Sequence, residues 1–176
     1  MRTRHLLFAA AVGTLALSTA LPASAVVSGA TPATLTVQGG VLAISVPSVT
    51  ANLGTYANIV GGGPISGPLG VVQVNDARSA AAGAGWVTSV ISTAFTPSGA
   101  TIAASLVSYA AGSITKIGTA TYTANDPTHL EGAIPAVTAT GITGDNSATW
   151  NPTITVAVPG GMAAGVYTAT ITHSVA

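Results

Sequence analysis

The sequence has 176 residues and no cysteine. That excludes disulfide stapling, a thiol nucleophile and every thiolate-ligated metal. Charge is nearly absent as well, since Asp, Glu, Lys and Arg together make up 5% of the chain. Two of the four basic residues, Arg2 and Arg4, lie at the extreme N-terminus. Beyond them only Arg78 and Lys116 remain, far apart in sequence. Two separated cations make neither the basic stripe that nucleic acid requires nor a polybasic membrane patch. Aromatic residues are equally sparse at 5%. No apolar run reaches the roughly 20 residues that a membrane-crossing helix needs. Disorder does not follow from the missing charge, because apolar residues make up 48% of the chain and a disordered chain shows the opposite balance.

The N-terminus is organised. Met1 to His5 is basic, Leu6 to Leu17 is almost continuously apolar, and Pro22 precedes Ala23-Ser24-Ala25. A basic segment, an apolar stretch of about a dozen residues and an A-x-A site predict a secretory signal peptide over residues 1–25. Residues 26–176 are then the mature chain, expected to be extracellular and to form one domain large enough for a core of its own. With the leader gone, Arg78 and Lys116 stand against Asp76, Asp126, Glu131 and Asp145.

The rest of the chain reads as strands. Val, Ile and Thr dominate, and Gly, Pro, Asn and Asp interrupt at short intervals. Residues 34–38 alternate, Gly39-Gly40 signals a turn, and residues 41–46 follow, which predicts a hairpin. Gly61 to Pro68 reads as a loop because glycine and proline make up most of it. A strand is expected over residues 69–75, a small-residue loop over 77–85, and a strand over 86–95. That last strand is apolar on both faces and therefore expected to be covered on both. Shorter strands are expected at 105–109 and 118–123, with weak helical potential over 100–106. Residues 153–158 and 167–175 alternate cleanly and read as a closing antiparallel pair. The architecture implied is all-β, an immunoglobulin-like antiparallel β-sandwich. Tyr167, after Ala164-Gly165, has the placing of a tyrosine corner.

Catalytic constellations are missing. His129 and His173 have no second histidine at ligand spacing, no serine stands in G-x-S-x-G, and the loop at residue 61 lacks the Lys-Ser/Thr of a phosphate cradle. Asp126 and Glu131 read as solvated acids near a turn. Asn125-Asp126 and Asp145-Asn146 fall short of the dense acidic pattern of a calcium loop and read as turns. No enzyme activity, cofactor or metal is expected. The candidate ligand contacts are Trp86, Trp150 and His173. Trp86 reads first as core, because so few aromatics are present to build one. Trp150, before Asn151-Pro152, is expected to be partly exposed and is the better candidate for stacking on a sugar. His173 reads as the end of a core face, or as a surface contact or pH-sensitive group. Asp76 and Arg78 read as a structural pair at a strand end.

Three segments taken together resemble a known family. They are Leu69 to Arg78, Gly85 to Val90, and Trp150 to Pro159 followed by Gly165 to Thr172. Their V-x-D-x-R stretch, Gly-Trp strand and closing G-x-Y-T-A-T-I-T strand occur in the same order in the WxL-domain surface proteins of Gram-positive bacteria. The resemblance spans most of residues 35–176. It implies a secreted, non-enzymatic β-sandwich held without a covalent bond at the cell wall, through peptidoglycan or other surface proteins. In the places of the family's two Trp-x-Leu motifs this chain has Trp86-Val87-Thr88 and His173-Ser174-Val175, so wall binding is the part of the resemblance that these departures affect. No Leu-Pro-x-Thr-Gly sorting signal occurs, so covalent anchoring is not expected. Self-association into a coat or fibre is an alternative that low charge and Val/Thr-rich strands suggest, and a free extracellular protein is another.

Overall fold

A computed structural model describes residues 31–97 and 100–176, so the expected leader lies outside the described residues. By contacts the chain divides between Thr36 and Val37. Residues 31–36 are exposed and carry no strand, and every element belongs to residues 37–176. The described residues form eight strands: β1 (Leu42–Ser45), β2 (Gly63–Pro68), β3 (Val72–Ser92), β4 (Val107–Ala110), β5 (Thr115–Ala124), β6 (Ile134–Trp150), β7 (Thr153–Val158) and β8 (Ile171–Val175). One 3-10 turn, Ala104–Leu106, stands where weak helical potential was read.

The strands form two antiparallel sheets. The larger has five strands in the order β1-β3-β6-β5, with β8 also on β3, and the smaller has three in the order β2-β7-β4. β3 organises the larger sheet. Its residues 73–76 pair with β1, its residues 88–92 pair with β8, and β6 runs along its other side from Val72 to Val90. One apolar cluster draws on both sheets: Val72, Val74, Trp86 and Val90 from β3, Val137, Ile142 and Trp150 from β6, Val107 and Tyr109 from β4, Ile154 and Val156 from β7. At about 25 cal/mol per Å2 of apolar surface removed from water, such a shared core is the main stabilising contribution. The arrangement is that of a β-sandwich.

Several sequence expectations need correction, each for a physical reason. The hairpin across Gly39-Gly40 does not form. Instead Gly40 N–H donates to Ala77 O, and Ala77 N–H donates to Val41 O, which lays this segment on β3. A Cβ on Gly40 would sit 2.8 Å from the Ala77 Cβ, so the glycines permit close approach rather than reversal. The glycine-proline stretch read as a loop is β2. It is an edge strand, where Pro64 and Pro68 need no ladder donor. Its Gly67 packs so closely that a Cβ would lie 2.8 Å from Leu53 Cα.

Residues 77–85 are not a loop but the middle of β3, carried past β6 by successive register shifts, with Ser79 at φ 53° and Gly83 at φ 91°. β6, 17 residues long, was not read from the sequence at all. Its alternation restarts at Gly141 and Gly144, which have φ 64° and 70°, so no period-two run survives long enough to show. The strand around Trp86 is buried on one face only: Trp86, Thr88, Val90 and Ser92 point inward, whereas Ile91 is exposed. β7 and β8 do not pair with each other. β7 lies between β2 and β4, and β8 lies on β3 in the other sheet. The Ile154 and Val156 face of β7 is buried as expected.

Candidate functional site

Both tryptophans are core residues, each 2% exposed. This corrects the expected partial exposure of Trp150. Trp86 Nε1 on β3 donates to Asn146 Oδ1 on β6 at 3.1 Å. The same oxygen accepts from Tyr122 Oη at 3.0 Å, and the Trp86 and Tyr122 rings stand 5.6 Å apart, tilted. Trp150 Nε1 donates to Tyr109 Oη at 2.6 Å. With their faces packed and their N–H groups engaged inside, neither ring offers a platform for a sugar. Asp145-Asn146 is therefore not a turn. Asn146 is a buried acceptor in β6, and Asp145 Oδ1 accepts from Ser79 N–H at 3.0 Å. Asn125-Asp126 keeps the turn reading: Asp126 has φ 44°, and its Oδ1 accepts from Ala111 N–H at 2.8 Å.

Asp76 and Arg78 form a two-pronged pair, with Arg78 Nε to Asp76 Oδ1 and Nη2 to Oδ2 both at 2.8 Å. The pair lies within β3 rather than at a strand end. Asp76 is 1% exposed, and the guanidinium beside it holds its carboxyl below the usual carboxylate range against the opposing effect of burial. Arg78 Nη2 also donates to Gly85 O at 3.2 Å, tying the two ends of the bulged stretch together. Opposite Asp76 in the ladder stands Asn146, whose amide nitrogen is buried with no hydrogen-bond partner.

His173 is half-buried on β8, with Nε2 3.2 Å from Tyr109 Oη across the gap between the sheets. It lines a groove of about 230 Å3 whose walls include Pro47, Leu53, Leu69, Phe95 and Ile171. The two stretches aligned with Trp-x-Leu motifs lie side by side, for Thr88 pairs with Val175 and Val90 with His173. Tyr167 Oη donates to Ala163 O at 2.9 Å, four residues upstream, which is the bond a tyrosine corner makes. Among the described residues no group of three or more His, Asp and Glu side chains is placed to hold a metal ion. None of the described helices is long and apolar enough to cross a membrane.

A further surface emerges that sequence reasoning missed because it missed β6. On the outer face of the larger sheet, hydroxyl residues meet in cross-strand pairs: Thr115 with Thr149, Thr119 with Thr143, Thr121 with Thr140 and Thr123 with Thr138. Ile117 and Ser147 complete the row. The inward positions between them are Ala120, Tyr122, Ala139, Ile142 and Ala148, all partly or fully buried. The visible signal was the alternation Thr119-Ala120-Thr121-Tyr122-Thr123 facing Thr138-Ala139-Thr140. This face can hydrogen-bond in many orientations and offers methyl groups between its hydroxyls. Those five pairs carry no charge.

No protein-family profile matches the chain. No curated protein and no solved structure matches it either.

Proposed function

We propose that the chain is a secreted, non-enzymatic binding module of an immunoglobulin-like, WxL-like sandwich type, working at the cell surface or in the cell wall without a covalent anchor. The single observation that carries this reading is the row of cross-strand threonine pairs formed by β5 and β6. A sheet of paired threonines suits an uncharged, hydroxyl-rich polymer such as a wall glycan, where many weak hydrogen bonds replace one deep site. The leader-like N-terminus and the ordered run of WxL-like segments supply the extracellular setting. The tyrosine-corner bond of Tyr167 supports the immunoglobulin-like assignment. Trp86 and Trp150 hold the module together rather than touching its partner.

The test is co-sedimentation with purified peptidoglycan at physiological salt. Retention is expected. It should be lost in a Thr121→Glu/Thr140→Glu double variant whose circular dichroism is unchanged. If the unaltered protein stays in the supernatant, wall binding is wrong.

A second reading, self-assembly into a surface coat, is favoured by one observation. Among the described strands β5 is a ten-residue edge strand, paired on one side, and its Ile117 is 71% exposed. Such an edge is a template for another strand. Sedimentation velocity giving a strict monomer at high concentration would end that reading.

A further inference from the structure

Tyr109, Trp150 and His173 come from three strands and both sheets: β4 in the smaller, β6 and β8 in the larger. Their hydrogen bonds have a fixed direction. An indole N–H only donates, so the Tyr109 oxygen accepts from Trp150 at 2.6 Å. The hydroxyl proton then has Nε2 of His173, 3.2 Å away, as its acceptor. That requires a neutral imidazole with its proton on Nδ1. An imidazolium would place a second N–H against the hydroxyl, and the phenolic proton would be left without an acceptor in a site where Tyr109 is 2% exposed. A buried donor without a partner is costly.

Among the described residues, nothing packed against His173 compensates for a positive charge there. On β4 the facing group is Tyr109. Strand β3 presents Val90 opposite it, between Ser89 and Ile91. The groove wall contributes Val46, Pro47, Val49, Thr50, Ala51 and Leu53, with Leu69 and Phe95 beyond, none of which ionises. Asp126 acts on Tyr109 and is itself engaged by the Ala111 amide. Burial accordingly pushes His173 down to about 4 from its ordinary 6.5. Among the described strands β8 is hydrogen-bonded to β3 alone, so the contact with Tyr109 is its polar tie to the other sheet.

We propose that the Tyr109–His173 hydrogen bond is an acid-sensitive latch between the two sheets, closed while the imidazole is neutral and released when it takes up a proton, loosening β8 along one wall of the groove. The sign follows from the depressed value in the fold. The stabilisation is complete above the unfolded value of 6.5 and is lost as pH falls from there towards about 4, where the folded state also becomes protonated.

The experiment is a histidine-resolved NMR titration of the full chain, with His5 and His129 identified by substitution to glutamine, together with amide-exchange protection factors across the same pH range. Three results are expected. His173 should titrate at least one pH unit below its ordinary value. Above that midpoint it should be the Nδ1–H tautomer. Protection of Ile171–Val175 should fall by roughly tenfold for each unit of depression, while Thr153–Val158 keeps its protection. In His173→Gln the protection of β8 should no longer depend on pH between 4 and 7. In Tyr109→Phe the midpoint of His173 should move upward, because the hydrogen bond that favours the neutral ring is gone. A midpoint at or above the ordinary value, an Nε2–H tautomer at neutral pH, or β8 protection unchanged through the titration would each overturn the latch. All three can be read on the unaltered chain, so a variant that fails to fold does not shield the proposal.

Discussion

At the scale of single residues, polar groups inside this protein are few, and most are committed. Asp76 is buried because Arg78 closes over both of its oxygens. Replacing Arg78 with alanine leaves that carboxylate uncompensated. A loss of about 3 kcal/mol is expected in urea denaturation, at the lower end for a broken buried pair because the guanidinium is partly exposed. Its contribution to pH dependence has a defined sign. The carboxyl is held below its ordinary 3.8, so the stabilisation is present above that value and is lost as pH falls through the lowered one. Acid unfolding monitored by circular dichroism should therefore begin at higher pH in Arg78→Ala than in the unaltered chain. The tryptophans give a second prediction. Both are sealed in the core, so acrylamide should quench their emission poorly, and saturating wall glycan should leave the emission maximum unmoved even where co-sedimentation shows binding. The sequence placed Trp86 in the core because the chain has so little other aromatic mass. It misplaced Trp150 because the neighbouring Asn151-Pro152 suggested a surface, whereas the hydroxyl that receives the indole N–H belongs to Tyr109, 41 residues away.

At the scale of strands, legibility depended on whether alternation ran unbroken. β7 and β8 were readable because their five or six residues alternate without interruption. β6 and the middle of β3 were not, because each bulge resets which side is inward, and a sequence shows the reset only as a glycine. Proline misled for a related reason. Pro64 and Pro68 exclude an interior strand but not an edge, and nothing local marks β2 as an edge. The tight glycine of that strand yields a check: Gly67→Val would press a side chain against the Leu53 backbone, with an expected cost of about 1–3 kcal/mol by urea denaturation. Ile117→Lys on the β5 edge should change stability by less than about 0.5 kcal/mol, since the residue touches little. It should nevertheless reduce self-association in concentrated solution, because a lysine on an edge opposes addition of another strand. Association unchanged by that substitution would place any self-contact elsewhere.

At the scale of the whole molecule, the scarcity of charge governs how the protein meets others. Long-range attraction is screened over about 8 Å at physiological ionic strength, and this chain has few charges to screen. Retention on wall glycan should accordingly change little between low and high salt, a result that an ionic interaction with wall anions would contradict. What the sequence made legible was the all-β class of the fold. The face proposed to carry binding needed the pairing of β5 with β6, which is a tertiary fact.

The long β3 strand has a consequence in time. It receives β1 at one end, β8 at the other and β6 along its length, so the larger sheet joins partners from nearly both ends of residues 37–176. Until β8 is in place, Val90 and its neighbours lack their partner and the groove lacks a wall. Sheets assembled from such distant pairings fold slowly, on the order of milliseconds to seconds. A chain of this topology gains its larger sheet only after segments far apart in sequence have met.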